Sequence, residues 1–328
     1  MKNDNILEIR DLRVNLMTTN GILYALQGVD LALKRGEIHG IVGESGCGKS
    51  MTVKSVMKLH DAKRSEMLGE ILYKDENIIE LDEKHMRNLR GNDISMIFQD
   101  PMVSLDPIMR VGRQITEMIR AKKGVSKEEA AAQVKALFES VGIEPAEKRM
   151  EQYPFQMSGG LLQRVMICMA LSCDPDILIA DEPTTALDVT IQAQILKLLK
   201  KLQRENGMSV LFVTHDLGVV AEICDTVSVM YGGRIMETAQ VSELFDNPAH
   251  PYTRALLASS PHKGKRGEPM TTIPGEIPKL YSELSGCPFA SRCDYATEKC
   301  FEKVPGEREV SEGHTVCCLR AEAMEGGA

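Results

Sequence analysis

The sequence predicts an α/β fold: a mixed sheet with flanking helices, an antiparallel β region at the start, an inserted helical subdomain and a small cysteine-rich extension at the C-terminus. Three observations lead there. The apolar run Ile38-His39-Gly40-Ile41-Val42 reads as a buried strand, and it runs into a glycine-rich loop and then a helical stretch, Met51–Leu59. Two later apolar runs, Ile177-Leu178-Ile179-Ala180 and Val210-Leu211-Phe212-Val213, read as further buried strands that end in polar residues. Between these landmarks, residues 109–152 show helical periodicity and no strand signal.

Taken in order, residues 6–42 alternate apolar and polar positions in short runs, as in Ile6-Leu7-Glu8-Ile9-Arg10 and Val29-Asp30-Leu31-Ala32-Leu33. They predict antiparallel strands, with a hairpin turn at Thr19-Asn20-Gly21. The glycine loop is Gly43-Glu44-Ser45-Gly46-Cys47-Gly48-Lys49-Ser50, which fills every fixed position of G-x-x-x-x-G-K-[ST]. Its strand and helix flanks separate it from an ordinary glycine-rich turn. Glycines there let backbone N–H groups converge on phosphates, and the helix starting near Ser50 and Met51 adds its positive dipole end. Lys49 would reach the β- and γ-phosphates of a bound nucleotide, and the Ser50 hydroxyl would ligate Mg²⁺.

Further strands are expected at Glu70–Tyr73 and Ile94–Phe98, with a short polar helix at Asp82–Arg90. Gln99 ends the second strand, where it can orient water or complete a Mg²⁺ shell, although most loop glutamines are merely solvated. Helices follow at Gly112–Ala121 and Ser126–Val141, the latter opened by a capping box of Ser126 with Glu129. Ser158-Gly159-Gly160 leads into the helix Val165–Leu171. That stretch can be a second anion site at a helix start, but alone it reads more simply as a serine N-cap with glycines for a tight turn. The strand Ile177–Ala180 ends in two carboxylates, Asp181 and Glu182. With a phosphate loop upstream, Asp181 can hold Mg²⁺ through water and Glu182 can polarise an attacking water. Thr184-Thr185-Ala186-Leu187-Asp188 then leads to an amphipathic helix, Ile191–Gln203. His215 caps the strand Ser209–Val213 at the same end as Gln99, Asp181 and Glu182, the end where open α/β sheets bind ligands. Thr226–Tyr231 and Arg234–Thr238 form a last hairpin about Gly232-Gly233. Past residue 245 the pattern breaks. Pro248, Pro251, Pro261, Pro274 and Pro278 and the basic patch Lys263-Gly264-Lys265-Arg266 suggest a linker and a small module with little core of its own. No internal repeat is visible.

The bulk properties narrow the function. At 328 residues, the chain has room for a large domain and a smaller one. A net charge of -8 argues against a nucleic-acid partner, which would call for a basic face. Met1–Asn5 carries no apolar run that would read as a signal peptide, and no apolar run is long enough to span a bilayer. Of the nine cysteines, Cys47, Cys168, Cys173 and Cys224 read as core or near-core thiols. Cys287, Cys293, Cys300, Cys317 and Cys318 crowd the end of the chain, and in a reducing compartment such a cluster suggests metal rather than disulfides.

The order of these motifs over residues 6–240 resembles the ATP-binding subunit of an ABC transporter, a P-loop NTPase core carrying a helical subdomain at about 102–165. The resemblance makes residues 1–245 the nucleotide-binding domain. It makes Ser158-Gly159-Gly160 the family's signature, Gln99 the Q-loop glutamine, Asp188 part of the D-loop and His215 the switch histidine. Two such subunits face each other head to tail, each ATP lying between the phosphate loop of one and the signature of the other. Glu182 then activates water and His215 contacts the γ-phosphate. Two departures stand out: Met157 and Leu161 flank the signature where the family has leucine and glutamine, and Leu16 stands where an aromatic usually stacks on adenine. Tyr24 is the only aromatic ahead of Gly43.

The tail, residues 246–328, resembles the oligopeptide/dipeptide branch of the family, in its dipeptide-permease D-type subunit. The resemblance is carried by His250-Pro251-Tyr252, by Ile273-Pro274-Gly275 and by Cys287-Pro288-Phe289-Ala290-Ser291-Arg292-Cys293. It implies a [4Fe–4S] cluster on Cys287, Cys293, Cys300 and Cys318, with Cys317 the runner-up for the fourth ligand and zinc the alternative occupant. It also implies two membrane-spanning permease subunits, a second ATPase subunit of a different paralogue, and indirect dependence on an extracytoplasmic substrate-binding protein. The place would be the cytoplasmic face of the membrane, and the work ATP-driven uptake of peptides, nickel or a metallophore. The competing expectation is an ABC-type ATPase not linked to transport.

Overall fold

The computed structural model describes residues 4–185, 187–259, 272–278 and 280–321. Pro261, the basic patch Lys263-Gly264-Lys265-Arg266 and Ala186 lie outside the described residues. The chain divides into two compact units, Met1–Glu80 with Val213–Ala328, and Leu81–Phe212.

The first unit begins with the expected hairpin. Strands β1 (Asn5–Thr18) and β2 (Gly21–Lys34) pair antiparallel from Thr18↔Gly21 outward, and Leu7, Ile9, Leu12 and Val14 of β1 are buried. The register slips between Ile9 and Leu12, where Asp11 adopts φ +42°. That bulge explains why alternation is imperfect along β1. Next come β3 (Ile38–Val42), α1 (Lys49–Val56), β4 (Ser65–Tyr73) and the short β5 (Glu76–Asn77). Strands β2-β1-β4-β5 form one antiparallel sheet, in that order.

The second unit holds α2 (Glu83–Leu89), β6 (Ile94–Ile97), α3 (Pro101–Ser104), α4 (Val111–Lys123), α5 (Lys127–Ser140), α6 (Ala146–Met150), α7 (Gly159–Leu171), β7 (Ile177–Asp181) and α8 (Val189–Asn206). Strand β8 (Ser209–Thr214) starts in this unit and ends at its border. Helices α4 to α7 pack on one another, as the strand-free run predicts. Ser126 caps α5 by accepting from the Glu129 N–H at 3.1 Å. Helix α4 gains a residue or two at each end, and two more helices begin earlier than expected. Helix α7 begins at Gly159 rather than Val165, because the glycines already take helical conformation. Helix α8 extends back to Val189, where Asp188 accepts from the Ile191 N–H at 3.0 Å, and ends against left-handed Gly207.

The chain returns to the first unit with α9 (Leu217–Ile223), β9 (Thr226–Tyr231), β10 (Arg234–Gln240), α10 (Val241–Asp246), α11 (Pro251–Ser259), α12 (Glu298–Glu302), β11 (Arg308–Ser311) and β12 (His314–Val316). Strand β3 pairs parallel with β9, and β9 pairs antiparallel with β10, so this sheet is mixed. The tail contributes to it directly, since β12 pairs with β10 at Glu237↔Val316 and Thr238↔Thr315, and β11 adds the next strand. Tyr231, Tyr252 and Phe289 meet in one buried cluster with ring centroids 4.6–5.3 Å apart, worth about 0.5–1.5 kcal/mol per pair beyond area burial. The tail thus has its core in common with β9 rather than apart from it.

Candidate phosphate-binding motifs and a cysteine cavity

Strand β3 is buried along its whole length and delivers the glycine loop at its end. A Cβ on Gly43 would stand 2.1 Å from the Met230 carbonyl oxygen, so only glycine fits where the loop crosses β9. Gly48 takes φ +116° just before α1, and a Cβ there would stand 2.7 Å from the Met230 methyl. Helix α1 has no side-chain cap and no acidic residue in its first turn, so no carboxylate of that turn offsets its positive dipole end. Ser45 and Gly46 are exposed, and Ser50 at the start of α1 is half-buried.

Lys49 is only 4% exposed, and its ammonium donates to the carbonyls of Gly43 at 2.9 Å and Glu44 at 3.0 Å. The loop therefore wraps around its own cation. Cys47 is fully buried and burial pushes its thiol up, which makes it a packing residue rather than a nucleophile. The Glu44 carboxylate is held by Arg292 of the tail at 2.7 and 3.1 Å, a partner the sequence reading did not find. His215, also in this unit, is exposed and lies directly after β8.

In the second unit, β6 pairs parallel with β7 in the register Ile97↔Ala180. Gln99 and Glu182 each stand two residues further on, so the register sets them side by side. The Gln99 amide donates to Glu182 Oε2 at 3.3 Å. Thr185 Oγ1 donates to the same oxygen at 2.9 Å. Glu182 has φ +48°, a left-handed backbone that glutamate rarely adopts and that costs on the order of 1 kcal/mol. Asp181, the last residue of β7, is 4% exposed. Two donors thus converge on the Glu182 carboxylate, and Thr185 is the one sequence reasoning missed. Its only signal was a hydroxyl three residues past the carboxylate.

Ser158 and Gly159 are exposed; Ser158 takes the expected N-cap position of α7, with extended backbone, but its side chain makes no capping bond. Gly160 has a structural reason to be glycine, since a Cβ there would stand 2.9 Å from Ile191 of α8. Leu16 faces Leu23 across the first hairpin, and the Tyr24 N–H donates to the Leu280 carbonyl at 2.8 Å.

The tail cysteines separate into two groups. Cys287, Cys293, Cys300 and Cys318 line one small cavity of about 20 Å³, together with His250. Cys317 is not among its lining residues; its N–H donates to the Met236 carbonyl at 2.8 Å. Burial pushes the Cys287 thiol up to about 12, and the neighbouring thiols act in the same direction. His250 is buried, and its Nδ1 accepts from the Tyr252 N–H at 2.9 Å. That bond assigns the proton to Nε2, which has no hydrogen-bond partner. Burial pulls the ring's pKa down to about 4, so it is neutral. Four cysteines and the His250 ring thus border one cavity. They do not converge on a point: among the described residues no three His, Cys, Asp or Glu side chains could hold a metal ion.

Comparison with known proteins gives a consistent picture. A family profile described as "ABC transporter" matches residues 26–185, and one described as "Oligopeptide/dipeptide transporter, C-terminal region" matches residues 236–300. The chain is 49% identical, over 98% of its length and 96% of the relative's, to a probable peptide ABC transporter ATP-binding protein of Sinorhizobium fredii. It is 48% identical, over 96% of its length and 94% of the relative's, to the dipeptide transport ATP-binding protein DppD of Bacillus subtilis. Among solved structures, a dimeric ATP-binding cassette in a post-hydrolysis state, bound to ADP and Pi, matches 72% of this chain and 98% of that one, with 29% identity and a TM-score of 0.64.

Proposed function

Because this chain belongs to the ATP-binding subunits of ABC transporters and carries the C-terminal region of the oligopeptide/dipeptide branch, we propose that it binds and hydrolyses ATP to power peptide import. The observation that carries the reading is the phosphate loop with its buried Lys49 in the same chain as the Glu182 turn. No observation favours an ATPase unconnected with transport.

The roles follow from the chemistry of each group. Gly43–Ser50 and the N-terminus of α1 receive the phosphates, with Met51 continuing the helix, and Lys49 exchanges loop carbonyls for the β- and γ-phosphates. The Ser50 hydroxyl, the Asp181 carboxylate and the Gln99 side-chain oxygen are hard donors of the kind Mg²⁺ takes, and Mg²⁺ there would neutralise charge on the phosphates. Glu182, oriented by Thr185 and Gln99, accepts a proton from the attacking water, and His215 contacts the γ-phosphate. Ser158 and Gly159, exposed at the start of α7, meet the nucleotide of a second subunit arranged head to tail. The similar solved cassette is dimeric, which supports a pairing of two subunits. Each subunit then makes half of each site, so the isolated chain is a poor ATPase.

Its partners are then two membrane-spanning permease subunits and a second ATPase subunit, a different paralogue, with an extracytoplasmic binding protein acting through the permeases. Among the described residues no helix is long and apolar enough to cross a membrane; the permease subunits would hold the chain at the cytoplasmic face of the membrane. For the cysteine cavity we favour a [4Fe–4S] cluster on Cys287, Cys293, Cys300 and Cys318. The shared cavity supports Cys318 over Cys317 as the fourth ligand. Zinc, which four thiolates also suit, is the alternative occupant. A cluster would tie the tail together and add a redox couple.

The experiment is Glu182→Gln in the assembled transporter. It should retain ATP binding and lose most hydrolysis, leaving the dimer closed on ATP. Wild-type turnover by that variant would remove Glu182 from its role.

A further inference from the structure

Arg292 lies between the first two cavity cysteines, one residue before Cys293. All three nitrogens of its guanidinium are engaged. Nη1 donates to Glu44 Oε2 at 2.7 Å and to the Tyr231 hydroxyl at 3.1 Å. Nη2 donates to Glu44 Oε1 at 3.1 Å and to the Ile273 carbonyl at 3.1 Å, and Nε donates to the Pro274 carbonyl at 2.7 Å. The side chain is 4% exposed, and Glu44 is 28% exposed. This is therefore a bidentate, largely desolvated pair rather than a surface ion pair of negligible worth.

A second tail residue grips the same position. The Tyr252 hydroxyl accepts the Glu44 backbone N–H at 3.0 Å, and the Tyr252 ring is locked against Tyr231 and Phe289. The Glu44 carbonyl in turn accepts from Lys49. One unbroken series of contacts runs from the tail through Glu44 to the phosphate-binding lysine. Its outer end is the turn that presents the cysteines: Ala290 N–H donates to the Cys287 carbonyl, Arg292 N–H to Phe289 and Cys293 N–H to Ala290, at 2.9–3.3 Å.

We propose that Arg292 is a positioning residue of the nucleotide site. With Tyr252 it fixes Glu44 and hence the path of the phosphate loop, so the folded cysteine module sets the chain's affinity for ATP. Loosening the Cys287–Cys293 turn would release Arg292 and lower that affinity without touching any group that meets the nucleotide. This rests on the reading of Gly43–Ser50 as an ATP site.

The test is equilibrium binding of Mg-ATP to the full-length chain, with steady-state ATPase kinetics of the assembled transporter. Arg292→Ala should weaken ATP binding about tenfold, and in the transporter the loss should appear in KM for ATP while kcat moves less than threefold. Arg292→Lys should recover only part, because an ammonium cannot serve both carboxylate oxygens. Glu44→Gln should weaken binding similarly. The double variant Arg292→Ala/Glu44→Gln should be no worse than about twice either single change, since both break one link. Glu44→Gln leaves the Ile273 and Pro274 contacts intact, so it carries the test if Arg292→Ala lowers the melting temperature sharply. Cys293→Ser should shift affinity in the same direction. Wild-type affinity in a folded Arg292→Ala or Glu44→Gln chain, or losses that multiply in the double variant, would overturn the proposal. Absence of ATP binding by the wild-type chain would instead overturn the nucleotide-site reading beneath it.

Discussion

Thr185→Val changes one hydroxyl to a methyl and keeps the β-branched shape. In the wild type that hydroxyl donates at 2.9 Å to Glu182 Oε2, and Gln99 donates to the same oxygen at the longer distance of 3.3 Å. Both contacts restrain the direction of a carboxylate whose backbone sits at φ +48°. A hydrogen bond to a charged group contributes about 1.5–3 kcal/mol. Glu182 is half-buried, so water replaces part of the loss and the lower figure applies. About 1.5 kcal/mol of lost orientation corresponds to roughly a tenfold fall in kcat, at about 1.4 kcal/mol per factor of ten. The assay is phosphate release by the reconstituted transporter at varied ATP. KM should hold, because the phosphate loop is untouched, and in a Glu182→Gln background Thr185→Val should add nothing. A kcat within twofold of wild type, or a rise in KM alone, would refute the idea that Thr185 aims the carboxylate.

Two further expectations follow from groups elsewhere in the first unit. His39 of β3 is buried beside Ser228, and burial pulls its pKa down to about 4. The folded chain keeps it neutral while the unfolded chain protonates it below about 6.5. Stability is then complete above pH 6.5 and falls as the pH drops toward 4, by roughly 3 kcal/mol. Urea melts between pH 7 and 4.5 should show that slope, with His39→Gln reducing it and His250, displaced the same way, supplying a remainder; a variant slope equal to wild type would contradict this account. The second concerns the cavity. Anaerobically purified protein should be brown, absorb broadly in the visible and bleach with dithionite. Cys318→Ser should abolish the colour and Cys317→Ser should not. A colourless protein carrying about one zinc would refute the cluster.

How much of this was legible in the chain depended on the range of the interaction involved. The glycine loop, its flanking strand and helix, the Asp181-Glu182 pair after an apolar run, the first hairpin and the Ser126 cap all follow from local sterics and periodicity. A strand alternates or stays apolar, a cap sits beside its helix, and a glycine marks a turn, whatever the rest of the chain does. Helix ends were less legible, as α7 and α8 show, because glycines and an aspartate cap extend them past the periodic residues.

Contacts between distant segments were of a different kind. Only the Ile97↔Ala180 register could bring Gln99 to Glu182, since a slip of one residue would turn both side chains elsewhere. Cys318 and Cys317 are adjacent and chemically identical, and the path of the chain after β12 decides which of them lines the cavity. Nothing in the composition of the tail pointed to the phosphate loop, 248 residues away, until packing of Phe289 and Tyr252 on Tyr231 brought Arg292 to Glu44. The sequence by itself determined that a glycine loop of G-x-x-x-x-G-K-S pattern and an acidic strand end exist in this protein. The tertiary structure decided which side chains contact the Glu182 carboxylate and which contact Glu44 of the glycine loop, because those partners are chosen by register and packing, and neither is encoded within any single stretch of residues.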